Sequence, residues 1–208
     1  MLEELIIRSL ADTLPHTLDA LFLFGQTEDN QKSSFAVAEQ MLQEGKVQKV
    51  LFLHTRPLSG YPGYDAWQQE LVKRGVPADK LEGVPDPGTD YLHTLLEAEA
   101  MAKHAKATGY SRIAVAAAPF QQPRAFMAAV TAAQRHYPQL YLYSQPGKAL
   151  PWCQDATHSQ GKVEDTRAGL IAGEMERIQK YNAKGDLDSV KQVLAYLNRR
   201  DRKQLSHP

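Results

Sequence analysis

The stretch Ser111-Arg-Ile-Ala-Val-Ala-Ala-Ala-Pro-Phe-Gln-Gln-Pro-Arg-Ala125 decides the fold class. Its apolar run from Ile113 to Ala118 carries no charge. A strand exposed on one face would alternate with polar residues, so this run predicts a central strand of a parallel sheet. Pro119 ends the run, and Pro123 suits the first position of a helix. The stretch therefore predicts a strand, a short turn and a helix.

Arg124 falls in the first turn of that predicted helix. The partial positive charge of a helix N-terminus disfavours a cation there by about 0.3–1 kcal/mol. A carboxylate or a bound anion close to Arg124 would remove this penalty. The alternative is a side chain that bends into solvent or pairs with a surface carboxylate. Its position makes Arg124 a candidate binding residue.

The composition limits the possible partners. The chain has 208 residues, enough for one domain with a full core. Its 24 Lys and Arg balance 24 Asp and Glu, so a nucleic acid partner is not expected. One cysteine and scattered histidines predict neither a disulfide nor a metal site. Because the N-terminus is acidic and has no long apolar region, we expect a cytoplasmic protein without a membrane partner.

Apolar runs separated by helical patterns predict the other strands, at residues 19–25, 50–54, near 81 and 140–144. This alternation favours one Rossmann-like, doubly wound α/β domain. We expect a mostly parallel sheet of about five strands with helices on both faces. The predicted organisation is an N-terminal helix within residues 1–18, the α/β domain at 19–185, and an amphipathic C-terminal helix and tail at 186–208.

Two helix positions follow from local patterns. Ser33 or Ser34 is predicted to cap the helix that follows the first strand. Residues 166–182 are predicted to form a helix that buries four apolar side chains, Leu170, Ile171, Met175 and Ile178. Residues 57–64, rich in Gly, Pro and Tyr, are predicted to form a loop and a candidate lid.

Candidate binding residues follow the first two predicted strands. Gly25 and Gln26 come after the first strand, and glycine permits a sharp turn or the close approach of a ligand. His54, Thr55 and Arg56 come after the second. Ligands of doubly wound sheets bind at the carboxyl ends of the strands. We therefore expect Gly25, His54 and Arg124 to meet at one rim, with His54 as the candidate catalytic base.

Four segments occur in a recognisable order: Asp19-Ala-Leu-Phe-Leu-Phe-Gly25, Gly75-Val-Pro77 followed by Leu81-Glu82, His93-Thr-Leu-Leu-Glu-Ala98, and Ala118-Pro-Phe-Gln-Gln-Pro-Arg-Ala125. They resemble the YdcF-like family, the domain-of-unknown-function group that includes SanA and ElyC. The third is similar to that family's Asn-Thr-x-x-Glu-Ala segment, and the fourth to its Ser-x-Tyr-His-x-x-Arg-Ala turn. The segment 174–181 also resembles the C-terminal helix of the cytoplasmic members.

The resemblance, which spans roughly residues 19–185, implies a binding site that includes Thr94, Glu97, Gln121 and Arg124. It also implies a nucleotide-like ligand, with S-adenosylmethionine as one candidate. The chain departs from the family at Ala117-Ala118, where the family has Thr-Ser, and at Gln121, where it has His. Groups that move protons are thus replaced by groups that do not titrate.

Three functions remain open at the level of sequence. The first is a protein that binds a small anionic or nucleotide-like metabolite through Arg124, Arg56 and helix N–H groups. The second is a hydrolase or transferase acting on a phosphorylated or envelope-precursor metabolite, with His54 as base. The third is a non-catalytic scaffold that self-associates through its terminal helices. The oligomeric state is open in all three.

Overall fold

The computed structural model describes residues 1–158 and 162–206. Its α-helices are α1 (Leu2–Leu10), α2 (Glu28–Gln43), α3 (Tyr64–Lys73), α4 (Thr94–Thr108), α5 (Gln122–His136), α6 (Leu170–Ala183) and α7 (Val190–Ser206). Its strands are β1 (Leu18–Leu23), β2 (Val47–His54), β3 (Leu81–Pro85), β4 (Arg112–Ala116), β5 (Tyr141–Ser144), β6 (Asp155–His158) and β7 (Val163–Thr166). A short 3-10 helix, Ala78–Lys80, precedes β3.

The first five strands form one parallel sheet in the order β3-β2-β1-β4-β5. The predicted Rossmann-like α/β class with a five-stranded parallel sheet is thus confirmed. α2 and α3 meet through Phe35 and Trp67, whose ring centroids lie 5.0 Å apart, while α4 packs against α5. Because right-handed crossovers run to opposite sides of β1, the two helix pairs cover opposite faces of the sheet.

The predicted central strand lies at the core of the molecule. In β4 the side chains from Ile113 to Ala116 are buried, as are those of α5 from Gln122 to Ala133. α5 is enclosed because α1, α4 and α7 also pack against it. Its many alanines let these helices approach closely. Leu5 of α1 and Leu197 of α7 belong to the same apolar core as the sheet.

The helix after β1 begins earlier than predicted. α2 starts at Glu28 with Thr27 as its N-cap residue, whereas Ser33 and Ser34 are buried inside the helix. Glu28 and Asp29 occupy the first turn, where the helix dipole favours acidic side chains. The connection from β1 to α2 is consequently short, and the N-terminus of α2 lies close to the carboxyl end of the sheet.

The segment after β5 also differs from the prediction. The chain first forms an antiparallel hairpin of β6 and β7, and α6 begins only at Leu170. The buried face of α6 consists of Leu170, Glu174 and Ile178, at a spacing of four residues, whereas Ile171 is 40% exposed. The prediction assigned the buried face to apolar residues, and the structure places a carboxylate at its centre.

The C-terminal helix is fixed to the sheet by a buried ion pair. Arg200 Nη1 and Nη2 donate to the two Asp12 carboxylate oxygens at 2.7 and 2.6 Å, and Nη1 also donates to the Leu142 carbonyl at 2.8 Å. The guanidinium lies over the Tyr143 ring. No helix within residues 1–158 and 162–206 combines the length and apolarity needed to cross a lipid bilayer.

Replacing Arg200 tests this anchor. We expect Arg200→Ala to lower the free energy of unfolding by about 3–5 kcal/mol, because it leaves the buried Asp12 carboxylate without its cation. The matched control is Arg8→Ala, which removes an ion pair between α1 and the 41%-exposed Asp201 carboxylate of α7. That change should cost at most about 1 kcal/mol. Equal losses in urea denaturation would contradict the assignment.

Candidate functional site

A cavity of about 300 Å³ lies at the carboxyl end of the sheet, between the segments that follow β1 and β4. The strand order reverses between these two strands, and crevices at such switch points are the usual ligand sites of doubly wound sheets. The described residues that line the cavity are Gly25, Gln26, Thr27, Ser59, Tyr61, Leu92, His93, Thr94, Glu97, Gln121, Arg124, His158, Lys162, Val163, Arg177 and Tyr181.

Three buried glutamines hold the segments that form the floor of this crevice. Gln26 Nε2 donates to Gln121 Oε1 at 2.9 Å and to the Phe24 carbonyl at 3.3 Å, so the segments after β1 and β4 are joined directly. Gln122 accepts from the Ala117 N–H at 2.7 Å and donates to the Val115 carbonyl at 2.9 Å. These bonds hold the turn before α5 in place and orient the first residues of that helix.

Glu97 reaches into the crevice from α4. Its Oε2 accepts a hydrogen bond from the Gly25 N–H at 2.6 Å. A Cβ atom on residue 25 would lie 3.1 Å from that oxygen and 3.3 Å from Tyr61 Cγ, so a larger residue would force these side chains to shift by a few tenths of an ångström. In this fold class, backbone N–H groups at the end of the first strand commonly bind a ligand's phosphate. Here the Gly25 N–H donates instead to the carboxylate of Glu97, a residue of the same chain.

Burial determines the protonation of Glu97. It raises the pKa of this carboxyl to about 7, although the Gly25 N–H and the charge of Arg124 act in the opposite direction. A carboxyl group with a pKa near neutrality can accept or release a proton under physiological conditions. Glu97 therefore has two properties. Its carboxyl group accepts the hydrogen bond of the Gly25 N–H, and it is a candidate general acid or base.

Arg124 lies in the first turn of α5, as predicted, but it does not reach solvent. Its Nε and Nη2 donate to the Glu174 carboxylate at 2.6 and 3.2 Å, and its Nη1 donates to Thr94 Oγ1 at 2.7 Å. The predicted compensating carboxylate is thus present within the chain. It comes from the buried face of α6 rather than from a surface residue.

Glu174 is the centre of a buried charge cluster. Besides Arg124, His158 Nε2 lies 2.8 Å and Arg177 Nη1 3.0 Å from its Oε1. Burial alone would raise the pKa of Glu174, but Arg124 and the hydrogen bonds lower it to about 2. Because an ionised carboxylate only accepts hydrogen bonds, Nε2 of His158 carries the proton in this contact. Three separate parts of the chain are thereby joined at one carboxylate.

The charges around the crevice favour an anionic ligand. Among the described residues that line it, Arg124, Lys162 and Arg177 carry positive charge, and Glu97 supplies the carboxylate. Glu174, fully buried behind them, neutralises one of these cations. Elsewhere in the described chain, no group of three or more His, Cys, Asp or Glu side chains is placed to hold a metal ion.

Six of the predicted binding residues line the cavity together: Gly25, Gln26, Thr94, Glu97, Gln121 and Arg124. The loop 57–64 contributes Ser59 and Tyr61 to the same cavity. Thr94 and Glu97 share one face of α4 because they stand three residues apart. His93, which replaces the family's Asn, is the N-cap residue of α4 and accepts from the Leu96 N–H at 3.4 Å.

His54, Thr55 and Arg56 lie at the same end of the sheet but do not line the cavity. His54 is exposed and stacks on Tyr64, with ring centroids 4.0 Å apart. Thr55 donates to Asp86 at 2.5 Å, and the exposed Arg56 pairs with Asp90 at 3.3 Å. β2 stands one strand away from the switch point, so the expected meeting of His54 with Gly25 and Arg124 in one pocket does not occur.

Sequence reasoning missed the part of the site that comes from the hairpin and α6, namely His158, Lys162, Arg177 and Tyr181, with Glu174 behind them. One signal was present. Glu174 stands midway between Leu170 and Ile178 at helical spacing, and a carboxylate in the middle of an apolar face requires a buried cation as partner.

The pH dependence of folding tests the state of Glu97. Because its pKa is higher in the folded protein than the usual value near 4.5, its stabilising effect is present below about pH 4.5 and is lost as the pH rises through 7. Glu97→Gln stays neutral and keeps an acceptor for the Gly25 N–H. We therefore expect the variant to lose less stability than the wild type between pH 5 and 8 in thermal melts.

The control for this measurement is Glu70→Gln on α3, outside the cavity, where the carboxylate lies 3.1 Å from Arg74 Nε. Its pH profile should follow that of the wild type over this range. A Glu97→Gln profile with the same slope as the wild type would contradict a raised pKa at residue 97.

Comparison of the chain with protein-family models and with curated proteins finds no match in either set. The resemblance to the YdcF-like family rests on the motifs quoted above. Function has to be inferred from the chemistry of the cavity itself.

Proposed function

We propose that this protein binds a small anionic or nucleotide-like metabolite in the cavity at the switch point of the sheet. The observation that carries the proposal is the position of Arg124, Lys162 and Arg177 around a crevice of about 300 Å³ at the carboxyl ends of β1 and β4. The resemblance to the YdcF-like family points to the same ligand class, with S-adenosylmethionine among the candidates.

Arg177 and Lys162 are the side chains best suited to contact the ligand. Arg124 is already engaged by both oxygens of Glu174, whereas Arg177 makes a single contact with that carboxylate and its side chain is 21% exposed. Lys162 is exposed immediately before β7, at the turn end of the hairpin. A ligand phosphate or carboxylate could therefore meet these two cations without breaking the buried pair of Arg124.

The size of the cavity restricts the ligand further. About 300 Å³ lies at the lower end of the range of roughly 300–1,000 Å³ for small-molecule sites. Such a volume suits a sugar phosphate or a mononucleotide better than a dinucleotide. The segment from Gly25 to Asn30 also lacks the glycine-rich fingerprint that dinucleotide sites require.

A thermal-shift screen at pH 6.5 tests the proposal, with pyrophosphate, ribose 5-phosphate, adenosine monophosphate and S-adenosylmethionine as probes. At a hundredfold excess over Kd, a ligand of the folded state stabilises it by about 2.7 kcal/mol, which raises Tm by roughly 5–10 °C in a chain of this size. We expect Lys162→Ala and Arg177→Gln each to weaken binding by about tenfold or more, since each removes a charge-assisted hydrogen bond.

The matched control is Lys106→Ala. Lys106 is exposed on α4, 12 residues beyond Thr94 and therefore about 18 Å along the helix from the cavity. Its removal should leave binding unchanged. The proposal would be refuted if no probe raised Tm, or if the Lys162 and Arg177 variants bound a probe as tightly as the Lys106 variant does.

One observation favours a second candidate function, a hydrolase or transferase acting on a phosphorylated or envelope-precursor metabolite. The carboxyl of Glu97 lies in the cavity with a pKa raised to about 7, which suits a general base. In this version Glu97, rather than His54, accepts the proton of an attacking water. That water adds to the phosphorus atom, and the substrate's ester oxygen leaves.

Phosphate release from ribose 5-phosphate or adenosine monophosphate tests this version. Glu97→Gln should lower the rate by about 10²–10⁴-fold, because the amide cannot accept the proton, while binding of the probe persists. Glu70→Gln is again the control and should retain the rate. Binding without any phosphate release would favour the non-catalytic binding protein.

A further inference from the structure

A second, smaller cavity adjoins the first. It measures about 190 Å³ and lies between the start of α4, the middle of α5 and the segment between α6 and α7. Its residues that do not belong to the first cavity are mostly apolar: Tyr91, Leu95, Ala128 and Leu187, with Asp186 at one side. The first cavity is lined by charged groups, so the two differ in chemistry.

The two cavities share four residues. His93, Thr94, Arg124 and Tyr181 line both of them. Arg124 and Thr94 are buried and joined by a hydrogen bond of 2.7 Å, so this pair forms the partition between the cavities. His93 and Tyr181 are half-buried. They form the rim that the two cavities share.

The rings at this rim offer flat surfaces. Tyr91, which is 57% exposed, stacks on His93 with ring centroids 5.7 Å apart and an angle of 28° between the rings. The Tyr181 ring faces the same cavity. Exposed aromatic rings beside an apolar pocket favour a planar ring of a ligand, which gains both stacking and the removal of apolar surface from water.

We propose that the two cavities form one bipartite site, which binds the anionic group of a ligand in the first cavity and an aromatic ring of the same ligand in the second. This inference rests on the proposed function, because it adds a ring subsite to the proposed anion site. Together the cavities fall well within the usual size range of small-molecule sites, at roughly 300–1,000 Å³. The ligand class is an organic phosphate or carboxylate that carries a planar heterocycle.

Two probes that share an anionic group and differ by a ring test the proposal, with the full chain in isothermal titration calorimetry at pH 6.5. Ribose 5-phosphate offers only the anion and sugar, whereas adenosine monophosphate adds the ring. We expect adenosine monophosphate to bind at least tenfold more tightly. Leu95→Trp, which fills the second cavity, should remove this advantage and leave ribose 5-phosphate binding unchanged.

The neighbouring residue supplies the matched control. Leu96 is half-buried like Leu95 but lines neither cavity, so Leu96→Trp should preserve the preference for adenosine monophosphate. Tyr91→Ala removes an exposed ring that folding does not need, and it should lower the preference even if Leu95→Trp fails to fold.

The outcomes separate the two proposals. Equal binding of both phosphates by the wild type, or an unchanged preference in Leu95→Trp and Tyr91→Ala, overturns the ring subsite and leaves the anion site standing. Failure of both phosphates to bind contradicts the anion site and with it the bipartite site.

Discussion

The Glu174 carboxylate is the constraint on which the candidate site depends. It accepts from Arg124, His158 and Arg177, and thereby joins α5, the β6–β7 hairpin and α6 at one buried point. Removing water from a carboxylate costs several kcal/mol, and this cost is offset only when cations and hydrogen bonds are placed around it. The walls of the cavity are therefore held in position by charge as well as by apolar packing.

The same cluster explains how a cation is tolerated at the N-terminus of α5. Arg124 would be disfavoured there by the helix dipole, but the fully buried carboxylate of Glu174 lies 2.6 Å from its Nε. This pairing separates two roles. Arg124 shapes the site, and the less constrained Lys162 and Arg177 remain to meet a ligand.

The chemistry of the crevice is unusual for its place in the fold. The backbone N–H at the end of β1, a common phosphate contact in related topologies, is taken by Glu97. The carboxyl group of Glu97 repels an anionic ligand when it is ionised and no longer repels it when it is protonated. The affinity for an anionic ligand is thus expected to depend on the protonation of one buried group, whose pKa lies near 7.

Local pattern determined the fold class and part of the site. The uncharged run from Ile113 to Ala118 required a covered strand, and the alternation of strands and helices along the chain required a parallel sheet. The position of Gly25 followed from the carboxyl end of its strand and that of Arg124 from the predicted helix, whereas Gln121 was predicted only by the resemblance to the YdcF-like family. These features depend on residues that are close together in the sequence, so they can be predicted from the sequence alone.

The tertiary structure alone decided the rest. His54 lies outside the cavity because the order of the strands in the sheet determines which loops face each other. β2 stands one position away from the switch point between β1 and β4, so the loop after it does not line the cavity. Glu174 and His158 entered the site because α6 packs against α5 and the hairpin packs against the turn that precedes α5. The resulting contact between Arg124 and Glu174 joins residues 50 positions apart in the chain. Hydrophobic periodicity states which face of a helix is buried, whereas the partner of a buried charge is set by packing between distant segments, and only the folded chain determines that.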